Sequence, residues 1–271
     1  MRSKTVKNAL RGRRALALAL LLLPAGFAPA GQALVLAPDP AVLKTLAEAK
    51  AKLQAGIDDW DFAVMKGARD LFRKCLVLEK KQNAFLWYYV GLADYSLATH
   101  ALAGEDAAAC DEAILDGQDH LQAAIEIDPE FGEAAALQGM LLGLELANHL
   151  ERAFTLGRRI FQSFDRALEL DGDNPRVLLQ LGIYQTYLPE AFGGGPESAL
   201  DYLDKAIALF ETERISDPLR PSWGREEALL NAALAHKQMG RTARAVELLK
   251  KALVVNPNSG RVRGELAAIE K

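Results

Sequence analysis

The sequence predicts an all-α protein built as a stack of antiparallel helix pairs, and three observations carry that expectation. Of 271 residues, 46 are Ala and 45 are Leu, while Val, Ile and Thr are sparse and aromatics make up only 7%. Such a composition suits helices and argues against sheets. A small–large–small pattern at offsets of four and seven recurs five times along the chain, and these offsets place all three residues on one helix face. Finally, 50% hydrophobic with 25% charged residues is the balance of a globular chain rather than a disordered one.

Residues 1–30 stand apart from the rest. Arg2, Lys4, Lys7, Arg11, Arg13 and Arg14 form a basic region without an acid, followed by the apolar run 15–23 and the small-x-small sequence Ala28-Pro29-Ala30. This reads as a secretory signal peptide, cleaved after Ala30 or, at Gly31-Gln32-Ala33, after Ala33. Nine apolar residues are too few for the roughly 20 that span a bilayer, so no stable membrane span is expected after cleavage. Arg13-Arg14 invites a twin-arginine reading without its usual neighbours, and no cysteine precedes Cys75 to carry a lipid. The expected location is the periplasm or the outside of a bacterial cell. Formal charge is -4 for the whole chain. Beyond residue 30 it is -10, from 26 Lys and Arg against 36 Asp and Glu. With no basic block in the body of the chain, nucleic acid is excluded as a partner.

A short segment, 31–46, precedes a single helical domain expected over 47–271. Its second-helix pattern runs Ala68, Phe72, Cys75; Gly117, Leu121, Ala124; Ile160, Phe164, Ala167; Ala199, Leu203, Ala206; and Ala245, Leu249, Ala252. Upstream of four copies a first helix carries a small residue that ends an apolar stretch, in Trp87-x-x-Val90-Gly91, Gly139, Leu181-Gly182 and Leu229-x-x-Ala232-Ala233. Together these resemble the tetratricopeptide repeat, with W-x-x-L-G in helix A and A, F, A before a closing Pro in helix B. Residues 227–259 match best, with Ala252 standing 19 places after Ala233. The resemblance implies about five helix pairs closed by a C-terminal helix from Ser259 to Ile269. The final small residues, Cys75, Ala124, Ala167, Ala206 and Ala252, are 49, 43, 39 and 46 apart. The family period is about 34, so every junction is enlarged.

Little in the chain points to catalysis. HExxH, GxSxG, paired CxxC and phosphate-loop spacings are all missing, so the sequence reads as non-enzymatic and without a cofactor. His120 with Asp116 and His149 with Glu145 have i,i+4 spacing, but two ligands apiece are too few for a metal, and polar helix faces are the better reading. Cys75 and Cys110 could pair in an oxidising compartment or stand as two separate buried thiols; the helix-face position of Cys75 favours the second. Gly193-Gly194-Gly195-Pro196 could hold an anion at a helix N-terminus or permit a tight reversal with Pro196 opening the next helix, and the reversal is favoured.

In tetratricopeptide proteins the concave groove is lined by fixed positions of each helix A. Carried to this chain, they select an apolar face whose candidate contacts are Phe85, Tyr88, Leu92, Tyr95, Met140, Leu144, Ile183, Tyr187, Leu230 and Leu234. It lacks the Lys and Asn pairs that clamp a peptide carboxylate. An apolar concave surface must be covered by a partner protein or peptide, by an apolar small ligand, or by the chain's own inserted segments. Residues 188–210, with their LPEAFGGGPESAL loop and helix, also resemble the T-component family of TRAP transporters. The function expected is a periplasmic protein–protein interaction module or scaffold. The alternative is a TRAP-type accessory protein that binds an apolar ligand or a substrate-binding protein.

Overall fold

The computed structural model describes residues 38–270. Eleven α-helices follow one another, with no strand among the described residues. They are α1 (Pro40–Asp59), α2 (Phe62–Leu78), α3 (Ala84–Ala103), α4 (Ala107–Ile127), α5 (Gly132–Asn148), α6 (Ala153–Asp171), α7 (Pro175–Tyr187), α8 (Pro196–Thr212), α9 (Arg225–Gln238), α10 (Thr242–Val255) and α11 (Gly260–Ile269). Local chemistry sets where they begin. The side chains of Asp39, Asp61, Asn83, Asp106, Asn174 and Ser259 each accept a backbone N–H of the following first turn. Proline opens α1, α7 and α8, where the missing N–H has no helical partner to lose.

The helices pack as five hairpins, α1/α2 through α9/α10, with α11 against α10. This is the all-α stack of helix pairs with a C-terminal capping helix that the pattern predicts. All fifteen residues of the repeated pattern are buried, so the pattern marks helix interfaces. The mechanism is close approach. A Cβ at Gly91 would lie 2.8 Å from Leu121, one at Gly139 3.1 Å from Phe164, and one at Gly182 2.7 Å from Leu203. In these three hairpins the small residue of the first helix thus receives the large residue of the second.

Two details differ from the sequence reading. Helix α1 already begins at Pro40, so the segment 31–46 contributes its first turns, and this first helix, which the sequence pattern did not flag, carries a small residue of its own in the buried Gly56, where an added Cβ would lie 2.8 Å from Met65 of α2. Much of the extra length at the junctions is helical: the first adds turns to α3 and α4, leaving only Gly104–Asp106 between them, and the second forms the 3-10 turn Leu150–Arg152 and the start of α6. The expected signal peptide lies outside the described residues.

The last pair also meets the first. Asn256 Nδ2 donates to Asp58 Oδ1 at 2.8 Å, and a Cβ at Gly260 would come within 2.5 Å of the Asp58 carbonyl oxygen. The Arg261 guanidinium stacks 5.5 Å from the Trp60 ring centroid. Residues nearly 200 positions apart therefore join the two ends of the stack.

Candidate functional site

The concave face of the first helices is partly sealed by the chain itself. The segment 213–224, which joins α8 to α9, crosses over α3. Leu219 and Pro221 are buried in it, and Trp223 packs half-buried on the core. Trp223 Nε1 donates to the Tyr88 hydroxyl at 3.1 Å, while the Tyr89 hydroxyl donates to the Arg220 carbonyl at 2.8 Å. From α1, the Lys50 ammonium donates to the carbonyls of Pro218 and Arg220 at 2.9 and 3.1 Å and lies 4.6 Å from the Tyr89 ring centroid. Burial lowers the Lys50 pKa to about 8, with Arg176 adding to the effect.

This placement sorts the ten candidate contacts. Tyr88, Leu92, Met140 and Leu230 are buried, so a partner at the surface does not reach them. For Tyr88 the reason is the connector above it. Phe85, Tyr95, Leu144, Ile183 and Leu234 are half-buried, and Tyr187 is 77% exposed. The residues 98–112 lie in the ends of α3 and α4 and the turn between them, not in the groove.

Exposed apolar side chains gather instead at one edge of the third and fourth pairs. Phe154, at the start of α6, is 98% exposed; Phe192, after α7, and Leu150, before α6, are each 72% exposed. Because α6 and α7 run antiparallel, the start of one and the end of the other share this edge with Tyr187. Phe161 is also exposed, edge-on to Tyr184 with centroids 6.4 Å apart. Arg158 and Arg159 on α6 are exposed beside it and make no ion pair among the described residues.

Charged groups missed as site candidates line the first turns of α5 and α7. Glu133 and Arg176 occupy the same groove position of successive helices, but nothing in their sequence surroundings pairs them with the distant Glu213. Arg176, 2% exposed, donates through Nη1 and Nη2 to the two carboxylate oxygens of Glu213 at 2.6 and 2.9 Å. Glu133, 5% exposed, accepts from Asn174 Nδ2 at 2.8 Å, and burial pushes its carboxyl up to about 7 against the pull of Arg176. Together with the connector they bound a cavity of about 710 Å³ whose lining counts seven carboxylates and three guanidiniums.

The remaining motifs have structural partners. His120 Nδ1 meets Asp94 Oδ2 at 2.7 Å, and Arg69 Nη1 donates to Asp94 Oδ1 at 3.0 Å, which ties α2, α3 and α4 around a fully buried carboxylate. Asp116, spaced to pair with His120, instead accepts from Arg69 and Arg73. His149 pairs with Asp111, whereas Glu145 accepts from Gln118 and pairs with Arg152. Among the described residues no three His, Cys, Asp or Glu side chains are grouped to hold a metal. Cys75 and Cys110 are separate buried thiols, each raised to about 11 by burial. The backbone N–H groups of Gly193, Gly194 and Gly195 donate to the carbonyls of Glu190, Pro189 and Gln185. They form a closed turn, with Gly193 and Gly195 at φ 85° and 101°, and have no donor left for an anion.

Comparison with known proteins agrees with this architecture. A family model described as tetratricopeptide repeat matches residues 226–269, that is, α9 to α11. The HusA haemophore from Porphyromonas gingivalis is 21% identical, with a TM-score of 0.58 over 73% of this chain and 92% of that one. A thermophilic TPR protein from Thermus thermophilus, TTC0263, is 16% identical, with a TM-score of 0.54 over 82% of this chain and 98% of that one. The fold is a tetratricopeptide-type helical stack. No curated protein matches the chain by sequence. No described helix is long and apolar enough to cross a membrane.

Proposed function

We propose that the protein is a non-enzymatic interaction module that holds a protein partner in the periplasm, and that it does so on the turn edge of its third and fourth helix pairs rather than in its groove. The exposed edge of Leu150, Phe154, Tyr187 and Phe192 carries this reading. Large apolar side chains that cluster in water mark a contact surface, and aromatic ones supply most of the energy of such contacts. Arg158 and Arg159 beside the edge fit a partner whose apolar surface is bordered by acids, although the chain beyond residue 30 is itself acidic. The test is capture from a periplasmic extract by the wild type and by a Phe154→Asp, Tyr187→Asp variant. Both side chains are exposed, so the fold is kept. The account expects capture to fall at least about tenfold, the size of effect seen when hot-spot side chains are lost; equal capture contradicts it.

A second reading has one observation in its favour, that a protein of this fold is a haemophore. Under it, the same edge takes an apolar small ligand in solute uptake, in line with the T-component resemblance of residues 188–210. The acidic lining of the 710 Å³ cavity does not suit an apolar ligand. Titration with haemin, followed by its absorbance, separates the two: a saturable change lost in the double variant supports the ligand reading, and no change supports the protein partner.

A further inference from the structure

Helix α6 buries Leu156, Ile160, Phe164 and Ala167 against the stack. On its other side Leu150, Phe154, Gly157 and Phe161 follow at spacings of four, three and four, a single stripe that runs from the 3-10 turn into the helix. Leu150 is 72%, Phe154 98% and Phe161 44% exposed, while a Cβ added at Gly157 would meet nothing within 4 Å. The stripe therefore holds large side chains without a recess and a recess without a large side chain. Inside the molecule those two features meet: Gly91 receives Leu121, Gly139 receives Phe164 and Gly182 receives Leu203. Phe161 carries the stripe on to α7 through Tyr184, three residues before Tyr187. At about 150–250 Å² for a whole aromatic side chain, the exposed fractions of Phe154, Phe161, Tyr187 and Phe192 leave roughly 400–700 Å² of apolar surface open. A standard interface buries about 800 Å² on each partner.

We propose that the protein partner of this edge is a second copy of the chain, docked by a two-fold, antiparallel crossing of α6 on α6 that sets Phe154 of each copy over the partner's Gly157. The proposal rests on the reading of the turn edge as a contact surface and names its occupant. A two-fold axis between residues 155 and 156 that seats Phe154 on the partner's Gly157 also brings Leu150 opposite the partner's Phe161, so the stripe is complementary to itself. Charge agrees with this register. Glu151 and Arg158, seven residues apart, flank the stripe on the same side. In the antiparallel pair each Arg158 lies about two residues, or about 3 Å, along the axis from the partner's Glu151, within reach of both side chains. Arg158 is exposed and makes no ion pair among the described residues, and Glu151, 72% exposed, meets only His149 at 3.3 Å. Because each copy offers the same surface, the contact closes at two copies.

Sedimentation velocity of the full chain at about 1 to 100 µM tests this, a range in which a micromolar dimer passes from mostly monomer to mostly dimer. Gly157→Leu adds apolar surface where an added Cβ meets nothing, so the fold is kept, yet it fills the recess and should weaken dimerisation at least about tenfold. General stickiness of the edge would instead make Gly157→Leu associate more strongly. Arg158→Glu and Glu151→Arg should each weaken dimerisation several-fold, and an equimolar mixture of the two should restore it, because both contacts of the mixed pair regain opposite signs. A wild type that stays monomeric at about 100 µM overturns the proposal, as does Gly157→Leu associating as well as the wild type, or a mixture no better than its components. A monomeric wild type that still captures a protein from extract, with capture lost in Phe154→Asp, Tyr187→Asp, overturns the second copy and leaves the edge reading standing; a monomeric wild type with equal capture by that variant overturns both.

Discussion

Gly182 and Gly157 lie on neighbouring helices, yet substitution should act on them in opposite directions. A Cβ at Gly182 would lie 2.7 Å from Leu203 Cγ, whereas one at Gly157 meets nothing within 4 Å. Gly182→Val should therefore cost about 2–3 kcal/mol through overpacking, while Gly157→Ala should gain up to about 1 kcal/mol from helix propensity, both read by urea unfolding. This contrast shows why the helix pairs were legible in the sequence. A small residue opposite a large one is a short-range, repeated requirement, and it survives at Gly91, Gly139 and Gly182 although the repeats differ in length. Glu133 is the opposite case. Its neighbours in sequence look like an ordinary helix start, and its burial beside Arg176 exists only once α5, α7 and the connector have met. Its raised pKa has a stability consequence with a definite sign. Between the unfolded carboxylate value of about 4.5 and the folded value of about 7 the native state holds the extra proton, so stability falls as pH rises through that window and the cost is complete above it. Glu133→Gln should remove this contribution, giving a melting temperature that declines less between pH 5 and pH 8 than that of the wild type, by calorimetry.

The connector 213–224 is the element that covers the part of the groove formed by α3. Leu219→Ala should cost about 2–3 kcal/mol, as for other buried leucines, and should increase binding of a fluorescent apolar dye by loosening the cover over Tyr88 and Tyr89. Trp223→Phe keeps an aromatic ring but removes the donor to the Tyr88 hydroxyl together with part of the packed indole, for an expected loss of at least about 1 kcal/mol. None of this could be read from residues 213–224 in isolation. They have no apolar period, and Pro218 and Pro221 mark them as a loop. Their role is written in contacts to α1 and α3 more than 100 residues away. The groove positions were legible as a face because register along a helix is local; what covers that face is decided by tertiary structure. Hence Tyr88 and Met140 are core residues, and changing either to a charged residue would report on folding rather than on binding.

At the scale of the whole molecule, the contact of Asp58 with Asn256 joins the first helix pair to the last. Asn256→Ala should weaken this closure and raise amide exchange in α1 as well as in α11, a coupling that an open stack would not show. Export adds a test of its own: the chain recovered from cells should begin at Gly31 or Leu34 by intact mass, and one that still begins at Met1 contradicts the periplasmic assignment. The central claim is that a partner is held on the aromatic turn edge while the concave face stays covered. Hydrogen exchange of the full chain, alone and with its captured partner, tests it most directly. The account predicts new protection in residues 150–161 and 184–192 and none in 84–96; protection confined to 84–96 and 225–238 would contradict it.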